Sequence, residues 1–427
     1  MSIFGVDVIS YIIIAGVITV PYCLKLCPNE FLTGFGFCMV IGCFLTWLGK
    51  RNKYIDMLGG PSLLCLFVPT LLVFYGILPA DTVNSVKVFY TGTMGYINYF
   101  IASLIAGSIL SMDRKILVQA GSRYAVPLLF GILFSFLGAG IIGMLSGYGF
   151  GQAILNLAIP IMGGGIGAGA IPIASIYEGY GYTIPGGDVL SMLMPAVTIA
   201  NIAAIVFAAV LNAVGNGIGQ KGAFSGNGML MRTGEVYEVK EDDVQKGATF
   251  ESLGIGLLVA AALYIFGYIM SKCVWSKIHA YAWTIIMAAV LKISGILPKK
   301  LEEGAGAWYG LIAYIGVPTI LVCVSLISMD IPTILSVLSN PVYLIISLVV
   351  TILAAVGAGV GGCMMRMYFV ESGITAGLCM ANAGGAGDVA VLGAANRLNL
   401  MPFAQISSRI GGALILLIAS FLTPFLL

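Results

Sequence analysis

Two glycine clusters set in an apolar chain constrain the fold more than any other feature of the sequence. The first reads Met162-Gly163-Gly164-Gly165-Ile166-Gly167-Ala168-Gly169-Ala170, and the second Ala381-Asn382-Ala383-Gly384-Gly385-Ala386-Gly387-Asp388. Each holds a Gly-Gly-x-Gly, and the two lie 220 positions apart. Their surroundings are 59% apolar and 9% charged over the whole chain, against roughly 25% charged in a soluble domain. An ordinary soluble fold is therefore excluded. In hydrocarbon, unpaired backbone groups are so costly that broken backbone survives only inside protein or beside a water-filled cavity. Matched breaks in two halves of a chain point to a secondary transporter whose site lies between repeats.

A span needs about 20 mostly apolar residues. Eleven segments qualify: 8–24, 31–48, 57–78, 96–111, 124–146, 189–214, 252–271, 279–297, 306–328, 341–365 and 404–427. The glycine clusters occupy the two apolar segments left over, 153–180 and 370–397. Each is long enough to enter the membrane and return as a re-entrant hairpin. The expected fold is an all-α integral membrane protein with about 11 transmembrane helices plus two hairpins. Loops after even-numbered spans carry thirteen Lys and Arg, and loops after odd-numbered spans carry four. That bias puts the N-terminus in the cytoplasm and the C-terminus outside. Residues 1–30 hold an N-terminal span, 31–214 form repeat 1 with hairpin 153–180, and 252–427 form repeat 2 with hairpin 370–397. Each repeat has five spans, an odd number, so the second inserts upside down relative to the first. Residues 215–251, with acids from Glu235 to Asp243, read as a solvated cytoplasmic linker. No cleavable leader is expected, since Asp7 stands where a basic stretch belongs.

The composition also limits the chemistry. His279 is the single histidine, and the nine cysteines form no CxxC pair, so neither a metal centre nor a nucleophile–base pair is expected. A net charge of +2 gives no footprint for nucleic acid. No enzyme activity and no cofactor beyond a coupling ion are expected.

Ionisable groups inside spans default to function. Arg409 stands early in the last span, within Gln405-Ile406-Ser407-Ser408-Arg409-Ile410-Gly411-Gly412. Its guanidinium either grips a carboxylate ligand through two parallel hydrogen bonds or pairs internally with Asp388 or Glu371. Asn201, at the corresponding place in the sixth span, is either a site residue or a hydrogen bond between helices. Asn382, Ser407, Ser408 and freed hairpin carbonyls are hard oxygen ligands of the kind sodium accepts. Asn382, Met380, Ser407, Ser408 and Asn201 are the candidate sodium residues. Lys292, Glu371 and Arg397 lie near predicted span or hairpin ends, where snorkelling to the interface accounts for them. The glycines from Gly357 to Gly362, and Gly411-Gly412, read as close helix packing.

The second cluster carries a resemblance. Ile374-Thr375-Ala376-Gly377-Leu378-Cys379-Met380-Ala381-Asn382, Gly384-Gly385, Gly387-Asp388, Asn396-Arg397 and Gln405-Ile406-Ser407-Ser408-Arg409 resemble the signature of bacterial 2-hydroxycarboxylate transporters. Pro160-Ile161-Met162 with the first glycine cluster, and Thr198-Ile199-Ala200-Asn201, support it. The resemblance implies a homodimer with inverted repeats in the bacterial plasma membrane. It also implies an elevator mechanism, in which a hairpin-bearing domain slides past a fixed dimerisation domain. Small organic anions such as malate, lactate or citrate would move with sodium. Arg409 matches the arginine that holds the substrate carboxylate, and Gly167 matches a hairpin backbone contact. The hairpin tips then supply the candidate substrate contacts Gly165, Ile166, Gly167, Ala383, Gly384, Gly385 and Ala386. Three positions depart from the citrate carriers, which have Asn, Arg and Ser where this chain has Ile166, Ala383 and Ala386. Those departures disfavour a tricarboxylate. The alternative reading is a membrane subunit of a sodium-pumping decarboxylase, also glycine-rich and many-spanned.

Overall fold

A computed structural model describes every residue of the chain except 1, 29, 53–59, 92–94, 113, 115–120, 184–187, 220, 233–247, 276–277 and 427. The acidic run of the expected linker thus lies outside the described residues. Apart from a small antiparallel hairpin, β1 (Ser2–Ile3) and β2 (Val6–Asp7), the described elements are helices. Six precede the first glycine cluster: α1 (Val8–Cys23), α2 (Phe31–Lys50), α3 (Gly60–Phe74), α4 (Ala80–Tyr90), α5 (Tyr96–Leu110) and α6 (Gly121–Leu145). Hairpin 1 follows, with arms α7 (Phe150–Ile161) and α8 (166–179), and then α9 (Val189–Ile218). The second half holds α10 (Phe250–Cys273), α11 (Ala280–Ser294), α12 (Lys299–Ile327), α13 (Ile331–Leu338) and α14 (Pro341–Met364). Hairpin 2 has arms α15 (369–378) and α16 (Gly385–Ala394), and α17 (Leu398–Leu426) completes the chain.

Seven of these are long and apolar enough to cross a membrane: α2, α6, α9, α10, α12, α14 and α17. The shorter apolar helices α1, α3, α5 and α11 fall on the other expected segments. Two helices escape a search by apolar length. α4 carries Asp81, Asn84 and Lys87, and α13 has only eight residues. Side-chain caps fix several starts: Asp188 accepts the N–H of Leu190 at 3.0 Å, and Asp330 that of Thr333 at 2.9 Å.

Packing sorts the helices into two groups. α6, α9, α14, α17 and both hairpins form one; α1 to α5 and α10 to α12 form the other; contacts within each far exceed those between them. Glycine permits close helix contacts in each group. A Cβ on Gly357 of α14 would lie 2.4 Å from the Phe130 carbonyl oxygen of α6, and one on Gly256 of α10 would lie 2.2 Å from that of Gly304 in α12. Close approach of this sort replaces the missing hydrophobic drive between helices in lipid. Glycines 357 to 362 therefore pack helices, as expected.

The snorkelling expectation fails at all three residues. Lys292 is 3% exposed and donates to the Leu110 carbonyl and the Glu302 carboxylate, both at 2.8 Å. Glu371 and Arg397 are buried at the base of hairpin 2 and paired at 2.9 Å. The backbone N–H groups of Gly226 and Gly228 also donate to Glu371, at 2.9 and 3.1 Å. Ser225 and Asn212 satisfy the guanidinium. Residues 224–232 are thus folded against hairpin 2, with Ser225, Leu230 and Met231 buried. A buried charge persists only when paired and hydrogen-bonded, and here the partners come from three separate stretches of chain.

Candidate functional site at the hairpin tips

Three glycine backbones with positive φ bring the site together. Gly164, Gly165 and Gly384 have φ of 74°, 130° and 95°, a region that side chains disfavour. A Cβ on Gly164 would stand 2.2 Å from the Ser408 carbonyl oxygen, and one on Gly165 would stand 2.9 Å from the Gly384 Cα. The two hairpin tips and the break in α17 therefore meet backbone to backbone, and the Ile166 N–H donates to the Ala383 carbonyl at 3.5 Å.

Beside this junction lies a cavity of about 520 Å³. Its wall takes Gly165, Ile166 and Gly167 from tip 1, and Ala383, Gly384 and Gly385 from tip 2. Asp388, Ser408 and Arg409 complete the hairpin side, and Ser108 and Tyr309 face them from α5 and α12. The side chain of Ala386 lies outside the described residues.

Arg409 sits on a π-turn, Ser407–Gly411, inside α17; such bulges recur at functional sites because they re-aim side chains. Its side chain is half-buried. The guanidinium donates to the Ser111 hydroxyl at 3.3 Å and lies 4.9 Å from the centroid of the Tyr309 ring. Neither internal pairing foreseen for it occurs, because Glu371 belongs to Arg397 and Asp388 is held elsewhere. Among the described residues no carboxylate lies within salt-bridge distance of Arg409. A guanidinium left with one hydroxyl and one ring still has most of its N–H edge to offer an anion.

A buried oxygen cluster reaches the cavity wall at Asp388 and Ser408. Asp388 accepts from Ser408 Oγ at 2.6 Å and from Asn382 Nδ2 at 2.9 Å. Asn382 Oδ1 accepts the Gly384 N–H at 2.7 Å, and Asn201 Oδ1 accepts the Ala383 N–H at 3.0 Å. Asn382, Ser408 and Asn201 are thus brought together, with a carboxylate that sequence reasoning treated as a partner of Arg409. The side chains of two candidates point elsewhere. Ser407 turns away to the Phe403 carbonyl and the Tyr124 hydroxyl, at 3.1 and 2.9 Å. The Met380 thioether packs against Gly411, and its N–H is bonded to Gly377.

The family model of 2-hydroxycarboxylate transporters matches residues 3–421. The chain belongs to that family. A Na(+)-malate symporter of Bacillus subtilis (strain 168) is 34% identical over 420 residues, covering 97% of this chain and 91% of that protein. A citrate/sodium symporter of Salmonella typhimurium is 32% identical over 431 residues, covering 98% and 94%. The citrate transporter CitP of Lactococcus lactis is 32% identical over 432 residues, covering 100% and 94%. Family and relatives are transporters, not enzymes.

Two residues of this family member that touch Arg409, Tyr309 in the cavity wall and Ser111 beside it, escaped sequence reasoning. A signal existed. Gly76-Ile77-Leu78-Pro79 recurs as Gly295-Ile296-Leu297-Pro298, 219 positions on, and each is followed by an aromatic-tyrosine pair, Phe89-Tyr90 and Trp308-Tyr309. The repeat thus marks the corresponding segments of the two halves outside the hairpins.

Proposed function

We propose that this protein is a secondary active symporter that carries small 2-hydroxycarboxylates, such as malate, lactate or citrate, together with sodium. The observation that carries the reading is Arg409: a half-buried guanidinium with no carboxylate within salt-bridge distance among the described residues, facing a cavity where both hairpin tips converge. A substrate carboxylate fits its open edge. Asp388, Asn382, Ser408 and Asn201 supply buried oxygens for sodium next to the same tips, so ion and anion affinities are linked and each raises the other.

The transporter lies in the bacterial plasma membrane with eleven spans, N-terminus inside and C-terminus outside. Its two inverted repeats, 31–214 and 252–427, each contribute one hairpin, and residues 215–251 join them on the cytoplasmic side. The division of the helices into two packing groups supports an elevator, in which the hairpin-bearing group moves as a body past the other group, and the latter holds the homodimer together. Ile166, Ala383 and Ala386 leave Arg409 as the single cationic clamp among the tip contacts. Each further ionised carboxylate would lose hydration without replacement, so mono- and dicarboxylates are preferred over citrate.

Equilibrium binding tests the reading. Arg409→Ala abolishes the malate- and citrate-dependent rise in melting temperature while the folded protein remains, because ligands stabilise only the state they bind. An unchanged thermal shift in this variant would remove Arg409 from the site.

A further inference from the structure

The contacts of Arg409 cross the boundary between the two helix groups. Arg409 belongs to α17, in the group that carries the hairpins, whereas Ser111 follows α5 and Tyr309 lies in α12, both in the other group. Gly107 makes the arrangement possible. A Cβ there would stand 2.5 Å from the Tyr309 Cβ, so only glycine lets α5 and α12 come close enough to present a hydroxyl and a ring to one guanidinium.

We propose that Tyr309 and Ser111 form a tether that holds the empty hairpin body in place, and that a substrate carboxylate releases it by taking Arg409. The inference rests on the elevator reading and on the substrate role of Arg409. The mechanism is competition for one group. Ser111 uses a guanidinium N–H that a bidentate carboxylate needs. The ring is attracted by the net positive charge of the guanidinium, which a bound carboxylate neutralises. An unloaded carrier therefore keeps a contact across the sliding surface that a loaded one has lost. Tyr309 is a positioning residue, because it acts on substrate through Arg409. A symporter gains from this device, since a body that moves with sodium alone dissipates the gradient.

Competition fixes the sign of the test. Removing the tether frees Arg409, so anion binding becomes tighter. A part-exposed cation–π contact with a long hydrogen bond corresponds to about a three- to tenfold change in equilibrium constant. Tyr309→Leu therefore binds malate about three- to tenfold more tightly by thermal-shift titration, and in proteoliposomes it releases trapped sodium several-fold faster than the unsubstituted chain when no organic anion is present. Ser111→Ala shifts both readouts the same way by less, and serves if Tyr309→Leu fails to fold. Tyr309→Phe, which keeps the ring, returns both readouts most of the way. A structural or direct ligand role for Tyr309 gives weaker binding instead, and that result overturns the tether. Tighter binding without faster sodium release also overturns it, and leaves the substrate role of Arg409 standing. Loss of that role shows separately, as an undiminished malate response in Arg409→Ala.

Discussion

Hairpins 1 and 2 share a glycine frame and differ in almost everything attached to it. At the tip of hairpin 1 the side chains are Met162, Ile166 and Ala168, and its contributions are backbone: the Ile166 N–H on Ala383, and Gly164 against the Ser408 carbonyl. At the tip of hairpin 2, Asn382 and Asp388 organise a buried polar cluster with Ser408 and Asn201. The bases differ too. Hairpin 1 is closed by neutral hydrogen bonds, Tyr177 to the Leu155 carbonyl at 2.7 Å and Tyr182 to Asn156 at 2.8 Å. Hairpin 2 is closed by the buried Glu371–Arg397 pair. One arm supplies shape and the other supplies charge, so a pseudo-symmetric pair of breaks yields a chemically one-sided site.

The largest effect separates the two bases. Arg397→Leu strands Glu371 without its cation at 0% exposure and costs about 3–5 kcal/mol, whereas Tyr177→Phe loses one neutral hydrogen bond, about 1–3 kcal/mol. Thermal melts in detergent compare them, and equal losses would erase the contrast. Next comes the polar tip. Asp388→Asn removes the one charge of the oxygen cluster, so malate affinity becomes nearly the same in sodium and in choline buffers, a loss of about tenfold in the sodium effect. Ile166→Ala, on the other tip, keeps that effect. Sodium dependence retained in Asp388→Asn would place the ion elsewhere. The smallest effect is on selectivity. Ala383→Arg adds a cation at the tip of hairpin 2 and shifts competition uptake a few-fold from malate toward citrate, and an unchanged ratio would remove Ala383 from substrate recognition.

What the sequence discloses follows the same division. Glycine runs and apolar length announce hairpins and spans, because backbone geometry and hydrocarbon thickness act locally along the chain. Arg409 and Asn382 are legible for the cost of placing them at membrane depth. The buried ion pair is not, since Glu371 and Arg397 owe their partners to Ser225, Gly226 and Gly228 in a stretch whose polarity looks like a solvated linker. The adjacent serines divide for another reason: successive helical residues point about 100° apart, so Ser408 reaches Asp388 while Ser407 reaches Tyr124. Tyr309 is invisible to a search for charges, because it meets Arg409 with its ring.

The π-turn at Ser407–Gly411 makes the site depend on counting as well as on chemistry. A π-turn holds one residue more than the α-turn it interrupts. Remove any one of the five and the helix closes on ordinary hydrogen bonds, with the flanking stretches of α17 in nearly the same relation, but the residues left on the turn change direction. Ser408 toward the buried carboxylate and Arg409 toward the cavity are consecutive residues on that turn, so a deletion that keeps one direction surrenders the other. Along this stretch of chain, length is restrained together with side-chain identity.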